Sequence, residues 1–213
     1  MKLIIGAMFE ELQTSIDYFK AKKIENSICN IYENEKILFC VTGIGLINAA
    51  VGLSYVLNNY EISQVINIGT SGACDSSLKQ KDIVWINKIF NSAADATVFG
   101  YDYGQIPKMP KFYESASNDL KEKYINKNIA SSDIFINDIE QVNKHIKKIP
   151  SMISVLDMEC FGYAQTAYIY QKPFISIKVI SDVIGTEDSN AVQFNEFIKI
   201  AGNEILNVVK NLI

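Results

Sequence analysis

The feature that most constrains this chain is residues 173–185, PFISIKVISDVIG. The stretch opens on a proline, carries Phe174, Ile175, Ile177, Val179 and Ile180 with only short polar interruptions, and reaches Ser181-Asp182 before Gly185 ends it. A near-continuous β-branched run of this length reads as a strand buried on both faces, as in a parallel sheet covered by helices. In such sheets ligands bind where the strands end at their carboxyl edge. An acid placed there is either a turn residue or chemistry, and the rest of the chain has to decide which.

Apolar strands and amphipathic helices alternate along the whole sequence. Residues 2–5 form a short strand that runs through Gly6-Ala7-Met8 into a helix opening on Phe9-Glu10-Glu11. Acids in a first helical turn complement the helix dipole, which is the plain reading of Glu10 and Glu11. A hairpin is expected over residues 28–41, followed by a strand-to-helix turn at Gly43-Ile44-Gly45. That turn resembles a dinucleotide fingerprint only superficially, because the third glycine is missing and Glu61 precedes the next strand instead of ending it. Residues 64–68 form a buried strand, and Gly69-Thr70-Ser71-Gly72-Ala73 a small-residue turn at its end.

Residues 82–90 read as a longer strand holding the single Trp85, and residues 95–110 as an aromatic, glycine-bearing loop suited to an interface or a ligand lid. Further on, the pattern predicts a polar helix over 117–125, a strand over 129–136, a helix over 138–147 and a strand over 152–158. Glu159 then opens another helix, and the last helix is expected over 190–212 with a 3.6-residue apolar stripe. The expected architecture is one α/β domain over residues 1–213, a three-layer sandwich with a mostly parallel, mixed central sheet.

Composition removes several classes of function. The net charge of −4 is spread along the chain, so no basic face for nucleic acid is visible. All 20 basic residues are lysine, and planar bidentate grips on phosphate, which use arginine, are absent. The single histidine, His145, lies in a lysine-rich segment and reads as solvated surface, so neither a histidine metal cluster nor a histidine triad is expected. Cys29, Cys40, Cys74 and Cys160 are widely spaced and read as small hydrophobes of a reducing compartment. No apolar run suits a signal peptide or a membrane span, and a cytoplasmic protein is expected.

Four groups therefore stand at strand ends or helix starts: Glu11, Thr70-Ser71, Glu159 and Ser181-Asp182. A parallel sheet would bring them to one edge. The series GAMFEE, TGIGLINAA, INIGTSGA, DATVFGYDYGQIP, SSDIFIN, LDMECFGYA and VISDV resembles the 5′-methylthioadenosine/S-adenosylhomocysteine nucleosidases of the nucleoside phosphorylase superfamily. The likeness spans essentially the whole chain.

The resemblance implies a nucleoside phosphorylase-like fold and a role for each matching residue. Glu11 matches the glutamate that activates the attacking water, and Asp182 the aspartate that protonates purine N7, with Ser181 positioning that carboxyl. Glu159 matches the ligand of the ribose hydroxyls, and Met158 packs on the sugar. Phe135 and Ile136 match the residues that meet adenine. Thr70 lies near the water, while Met8, Ile44 and Phe194 match further lining positions. Phe99, Tyr101 and Pro107 match loop residues that a partner subunit inserts, so a homodimer is implied. No cofactor or metal is implied.

The chemistry is coherent with those residue types. Cleaving an N-glycosidic bond needs an acid for the leaving base, a base for water, and anionic groups near a cationic sugar. Asp182 must then hold a proton near neutrality, which calls for burial or a like-charged neighbour. Alternatives are a nucleosidase for another 5′-modified purine nucleoside of the futalosine type, a phosphorylase, and a non-catalytic nucleoside-binding protein. The sequence departs from the family at Lys178, where arginine is usual, at Asp157 for glutamate, at Ser92-Ala93 for His-Asp, and at Thr70-Ser71 for Ser-Ala.

Overall fold

A computed structural model describes residues 1–186 and 189–213. In chain order its elements are β1 (Lys2–Gly6), α1 (Phe9–Tyr18), β2 (Lys22–Ile24), β3 (Asn30–Glu33), β4 (Ile37–Val41), α2 (Leu46–Asn59), β5 (Gln64–Ala73) and β6 (Ile83–Asn91). They continue with β7 (Tyr113–Glu114), β8 (Ile125–Ser131), α3 (Ile139–Gln141), β9 (Val155–Asp157), α4 (Cys160–Ile169), β10 (Phe174–Val183) and α5 (Asn190–Leu212).

The sheet is mixed, with a parallel centre. β4, β1, β5 and β10 lie side by side and parallel, whereas β3 and β2 add an antiparallel edge. β10 is buried at every residue, as its apolar sequence requires, and it pairs in parallel with β5 and antiparallel with β6. From β6 the path runs through β8 and β9 back to β5, so this half of the sheet closes on itself. β5 makes the closure possible: Lys2–Ile5 of the chain occupies its first half, and β9 takes the same role at Gly72 and Ala73.

Helices cover both faces. α2 and α4 pack over a core that includes Leu53, Val56, Phe161 and Tyr163, while α1 and α5 pack over Leu12, Ile16, Phe197 and Ile205. A third cluster, including Phe90, Ile136, Val142 and Ile146, lies under residues 137–153. The layered architecture expected from the sequence is present.

Several local expectations are corrected. The strand expected over 129–136 is β8, which begins at Ile125 and stops at Ser131. Its ladder partners end there too, at Asn91 and Asp157, so Phe135 and Ile136 belong to the following loop. Over 138–147 the chain makes only the short α3 and then a wide turn over Val142–Ile146, whose apolar residues Val142 and Ile146 anchor it to the third cluster. The polar helix expected over 117–125 is a single tight turn at Lys121–Lys123; with no buried residue it has no apolar face to hold a longer helix. The strand expected over 152–158 is trimmed to β9, and Met152 is exposed. β2, polar in sequence and held by its ladder to β3, gave no alternation to read.

Candidate active site

The carboxyl ends of β1, β5, β9 and β10 surround one open cavity of about 150 Å³. Glu11, Thr70, Met158, Glu159, Ser181 and Asp182 line it, as do Met8, Ile44, Phe135, Ile136 and Phe194. Residues spread over most of the chain are therefore brought together at one sheet edge. Phe99, Tyr101 and Pro107 do not line it. Phe99 is 79% exposed and Pro107 is exposed, on the loop after β6.

Glu11 is the third residue of α1, and its side chain reaches back so that Oε2 accepts the Met8 amide at 3.2 Å, one half of a capping box. Its other oxygen, Oε1, accepts both the Thr70 amide at 2.7 Å and the Thr70 hydroxyl at 2.8 Å. The carboxyl can come this close to β5 only because residue 69 is glycine: a Cβ there would sit 2.9 Å from Oε1. Burial raises the Glu11 pKa, while the Thr70 donors and the positive charge of Lys178 pull against that rise.

Asp182 lies within β10 rather than past its end, at a bulge where the register to β5 slips between Ile180 and Asp182. A bulge of this kind re-aims side chains out of the strict alternation. Asp182 Oδ2 accepts the Asn190 amide at 2.6 Å, and Oδ1 lies 2.5 Å from the Ser181 hydroxyl. Ser181 Oγ is also 3.1 Å from the Ser71 carbonyl. A hydroxyl has one proton to give. With Asp182 ionised, Ser181 donates to it; with Asp182 protonated on Oδ1, the acid donates to Ser181 and Ser181 donates to the Ser71 carbonyl. The network accommodates both states. Burial raises the Asp182 pKa, opposed by Asn190 and Ser181. The upward shift expected from the sequence has burial as its cause rather than a like-charged neighbour.

Glu159 stands at the start of α4, and its Oε1 accepts the Gly45 amide at 2.9 Å. Burial, and next to it the adjacent Asp157, push its pKa up to about 8, while Lys178 and the Gly45 amide oppose the rise. Asp157 is itself held on several sides: Oδ1 accepts the Ser131 hydroxyl at 2.6 Å, and Oδ2 accepts the Cys160 amide at 3.0 Å and Lys178 Nζ at 2.8 Å. Burial disfavours the Lys178 ammonium, but Asp157 and its other anionic neighbours outweigh burial and hold its pKa above the usual lysine value. Phe135 and Phe194 meet edge to face, with centroids 6.3 Å apart, and form an aromatic wall of the cavity.

Sequence reading missed Asn190 and Asp133. Asn190 reads as a helix start, and only the fold shows its amide against Asp182. Asp133 accepts the Leu46 amide across 87 residues of sequence, a contact no local pattern announces.

The comparisons with known proteins agree with this geometry. The model of the phosphorylase superfamily matches residues 2–213. A 5′-methylthioadenosine/S-adenosylhomocysteine nucleosidase from Maridesulfovibrio salexigens is 33% identical over 98% of this chain and 97% of its own, and one from Oceanobacillus iheyensis is 31% identical over 99% and 97%. The chain belongs to the phosphorylase superfamily and, within it, to the 5′-methylthioadenosine/S-adenosylhomocysteine nucleosidases. Among solved structures, the Neisseria meningitidis nucleosidase in complex with methylthio-immucillin-A superposes with a TM-score of 0.87 at 27% identity, covering 97% of this chain and 95% of that one. The Streptococcus pneumoniae nucleosidase in complex with 8-aminoadenine gives 0.89 at 25% identity, over 98% and 97%.

Proposed function

We propose that this chain hydrolyses the N-glycosidic bond of 5′-methylthioadenosine and S-adenosylhomocysteine, releasing adenine and a 5-thio-substituted ribose. The observation that carries the reading is the meeting of Glu11, Glu159 and Asp182 in one cavity of a chain from this family. In this scheme Glu11 takes a proton from a water whose oxygen bonds to C1′. The C1′–N9 bond breaks, its electron pair passes into the purine, and the Asp182 proton moves to N7. Glu159 Oε2 takes the ribose hydroxyls while Gly45 holds Oε1. Phe135, Ile136 and Phe194 take the base, Met158 packs on the sugar, and Met8 and Ile44 line its 5′ side. Thr70 orients Glu11, and Ser181 orients Asp182.

The nucleophile is water rather than phosphate in this account. Lys178, whose charge acts on Glu11 and Glu159, is committed to Asp157 at 2.8 Å with both side chains buried. Turnover of 5′-methylthioadenosine without phosphate, lost in Glu11→Gln, tests the assignment.

The same reading includes a homodimer in which Phe99, Tyr101 and Pro107 of the partner subunit close the 5′ side. It is supported by an exposed apolar stripe, Ile44, Ile47 and Val51, that begins at the cavity rim, and by exposed Val98 and Phe99. A monomer by sedimentation would overturn it. One domain over residues 1–213 is supported by a sheet whose strands come from Lys2 to Val183. No helix among the described residues is long and apolar enough to cross a membrane. A cytoplasmic location is supported by four free thiols, among them Cys29 and Cys40 with sulfurs 3.4 Å apart and unjoined.

A further inference from the structure

α2 begins without a cap of its own. Its first flanking residue is Gly45, at φ +104°, with no side chain to accept from the first-turn amides that lack partners within the helix. Two carboxylates from distant parts of the chain take that place. Gly45 N–H donates to Glu159 Oε1 at 2.9 Å, and the next amide, Leu46 N–H, donates to Asp133 Oδ1 at 2.8 Å. The fit is close: a Cβ on residue 45 would lie 2.9 Å from Asp133 Oδ1. The turn before the helix is fixed from the α4 side as well, by a 2.5 Å hydrogen bond between the Thr42 and Tyr163 hydroxyls.

Asp133 sits two residues before Phe135 on the loop that leaves β8 after Ser131. That loop has left the ladder, so its place is set by side-chain contacts: Ile134 packs against the third cluster, and the Phe135 ring meets Phe194. Ser132 N–H reaches the Asp157 carbonyl at 3.3 Å, Ile136 packs into the third cluster, and Asp133 reaches α2. Both carboxylates favour the positive end of the same helix. The aromatic wall and the ribose-side carboxylate are thereby referenced to two consecutive amides.

We propose that Asp133 is a positioning residue that fixes the base-contacting loop relative to Glu159 through the N-terminus of α2. The proposal rests on the reading that Phe135 and Ile136 meet adenine. Asp133 touches no reacting atom. Its work is to keep the site assembled at the right width, so its loss weakens capture of the base more than it slows bond cleavage.

The test is steady-state hydrolysis of 5′-methylthioadenosine together with inhibition by adenine, in the full-length protein. Asp133→Ala should raise KM and the adenine inhibition constant about tenfold, the scale of one lost charge-assisted hydrogen bond, with kcat changed less than about threefold. Asp133→Asn, whose amide oxygen still accepts from Leu46, should restore both constants to within about threefold. Asp133→Ser, too short to reach Leu46, provides the same comparison should the alanine variant fail to fold. A purely structural cap would lower the thermal midpoint and leave KM and adenine affinity within about twofold, and that result overturns the proposal. So does an asparagine variant as impaired as alanine. Phe135→Ala separates the two layers: adenine affinity lost there but kept in Asp133→Ala sinks only this proposal, whereas adenine affinity kept in Phe135→Ala sinks the base-contact reading beneath it.

Discussion

Lys178 Nζ lies 2.8 Å from Asp157 Oδ2, and both side chains are almost fully buried, at 3% and 2% exposure. Lys178 draws the pKa values of Glu11 and Glu159 down against burial, while Asp157 pushes that of Glu159 up. Breaking a buried pair from one side leaves an uncompensated charge, at a cost of about 3–5 kcal/mol. Lys178→Met should therefore lose that much stability in chemical denaturation, and the folded fraction should lose activity as the carboxylates confront each other. Lys178→Arg keeps the charge and should lose less on both counts.

In the proposed mechanism Glu11 and Asp182 carry the proton transfers. Replacing either group by its amide keeps the shape while removing the acid or base, a loss of about 10²–10⁴ in kcat for such roles. Glu11→Gln leaves an oxygen for the two Thr70 donors, so the fold and adenine binding should survive. Stopped turnover with intact adenine binding, by calorimetry, is the expected pair of results for Glu11→Gln and for Asp182→Asn.

The pH profile follows from the same two groups. In that mechanism Glu11 works ionised, so activity should rise as pH climbs through its raised pKa. Asp182 works protonated, so activity should fall as pH climbs through its own. Ser181 and Asn190 both hold the Asp182 pKa down against burial. Removing either donor, in Ser181→Ala or Asn190→Ala, should shift the alkaline limb of kcat/KM upward, with the acid limb unmoved.

Stability should carry a related signature. Glu159 holds its proton in the fold up to about pH 8, whereas the unfolded chain releases it near 4.5. Between those values folding takes up a proton, so raising the pH favours the unfolded chain. Glu11 and Asp182 act in the same direction. The thermal midpoint should fall across that window, and Glu159→Gln should flatten the slope.

Gly69 gives a steric test. The added methyl of Gly69→Ala would meet Glu11 Oε1 at 2.9 Å, against a carboxyl already fixed by Met8 and Thr70. Overpacking of this kind costs about 1–3 kcal/mol, and a displaced base loses on the order of 10² in rate. Kinetics and a melting curve on the same sample would show both.

How far the sequence reveals such a site depends on how local each cause is. β10 was legible because burial on both faces writes a continuous apolar run, and α5 because its buried stripe writes a helical period. Glu11, Glu159 and Asp182 were legible because helix starts and the carboxyl halves of strands mark where a parallel sheet gathers its ligands, although residues 69–73, expected as a turn, continue β5 as far as Ala73 and Asp182 lies inside β10. The loop with Phe135 and Ile136 was misread as strand because apolar residues alone do not reveal where the neighbouring strands stop. Asn190 and Asp133 were out of reach for a different reason: each acts on a partner brought to it only by the closed sheet. The closure itself depends on β5 changing partners midway, which its sequence does not mark.

The most direct measurement is adenine release from 5′-methylthioadenosine, followed by absorbance in phosphate-free buffer and repeated with added phosphate. The account predicts equal rates in both, with free methylthioribose as the sugar product. A strict phosphate requirement with a sugar 1-phosphate as product, or no release in either buffer, would contradict it.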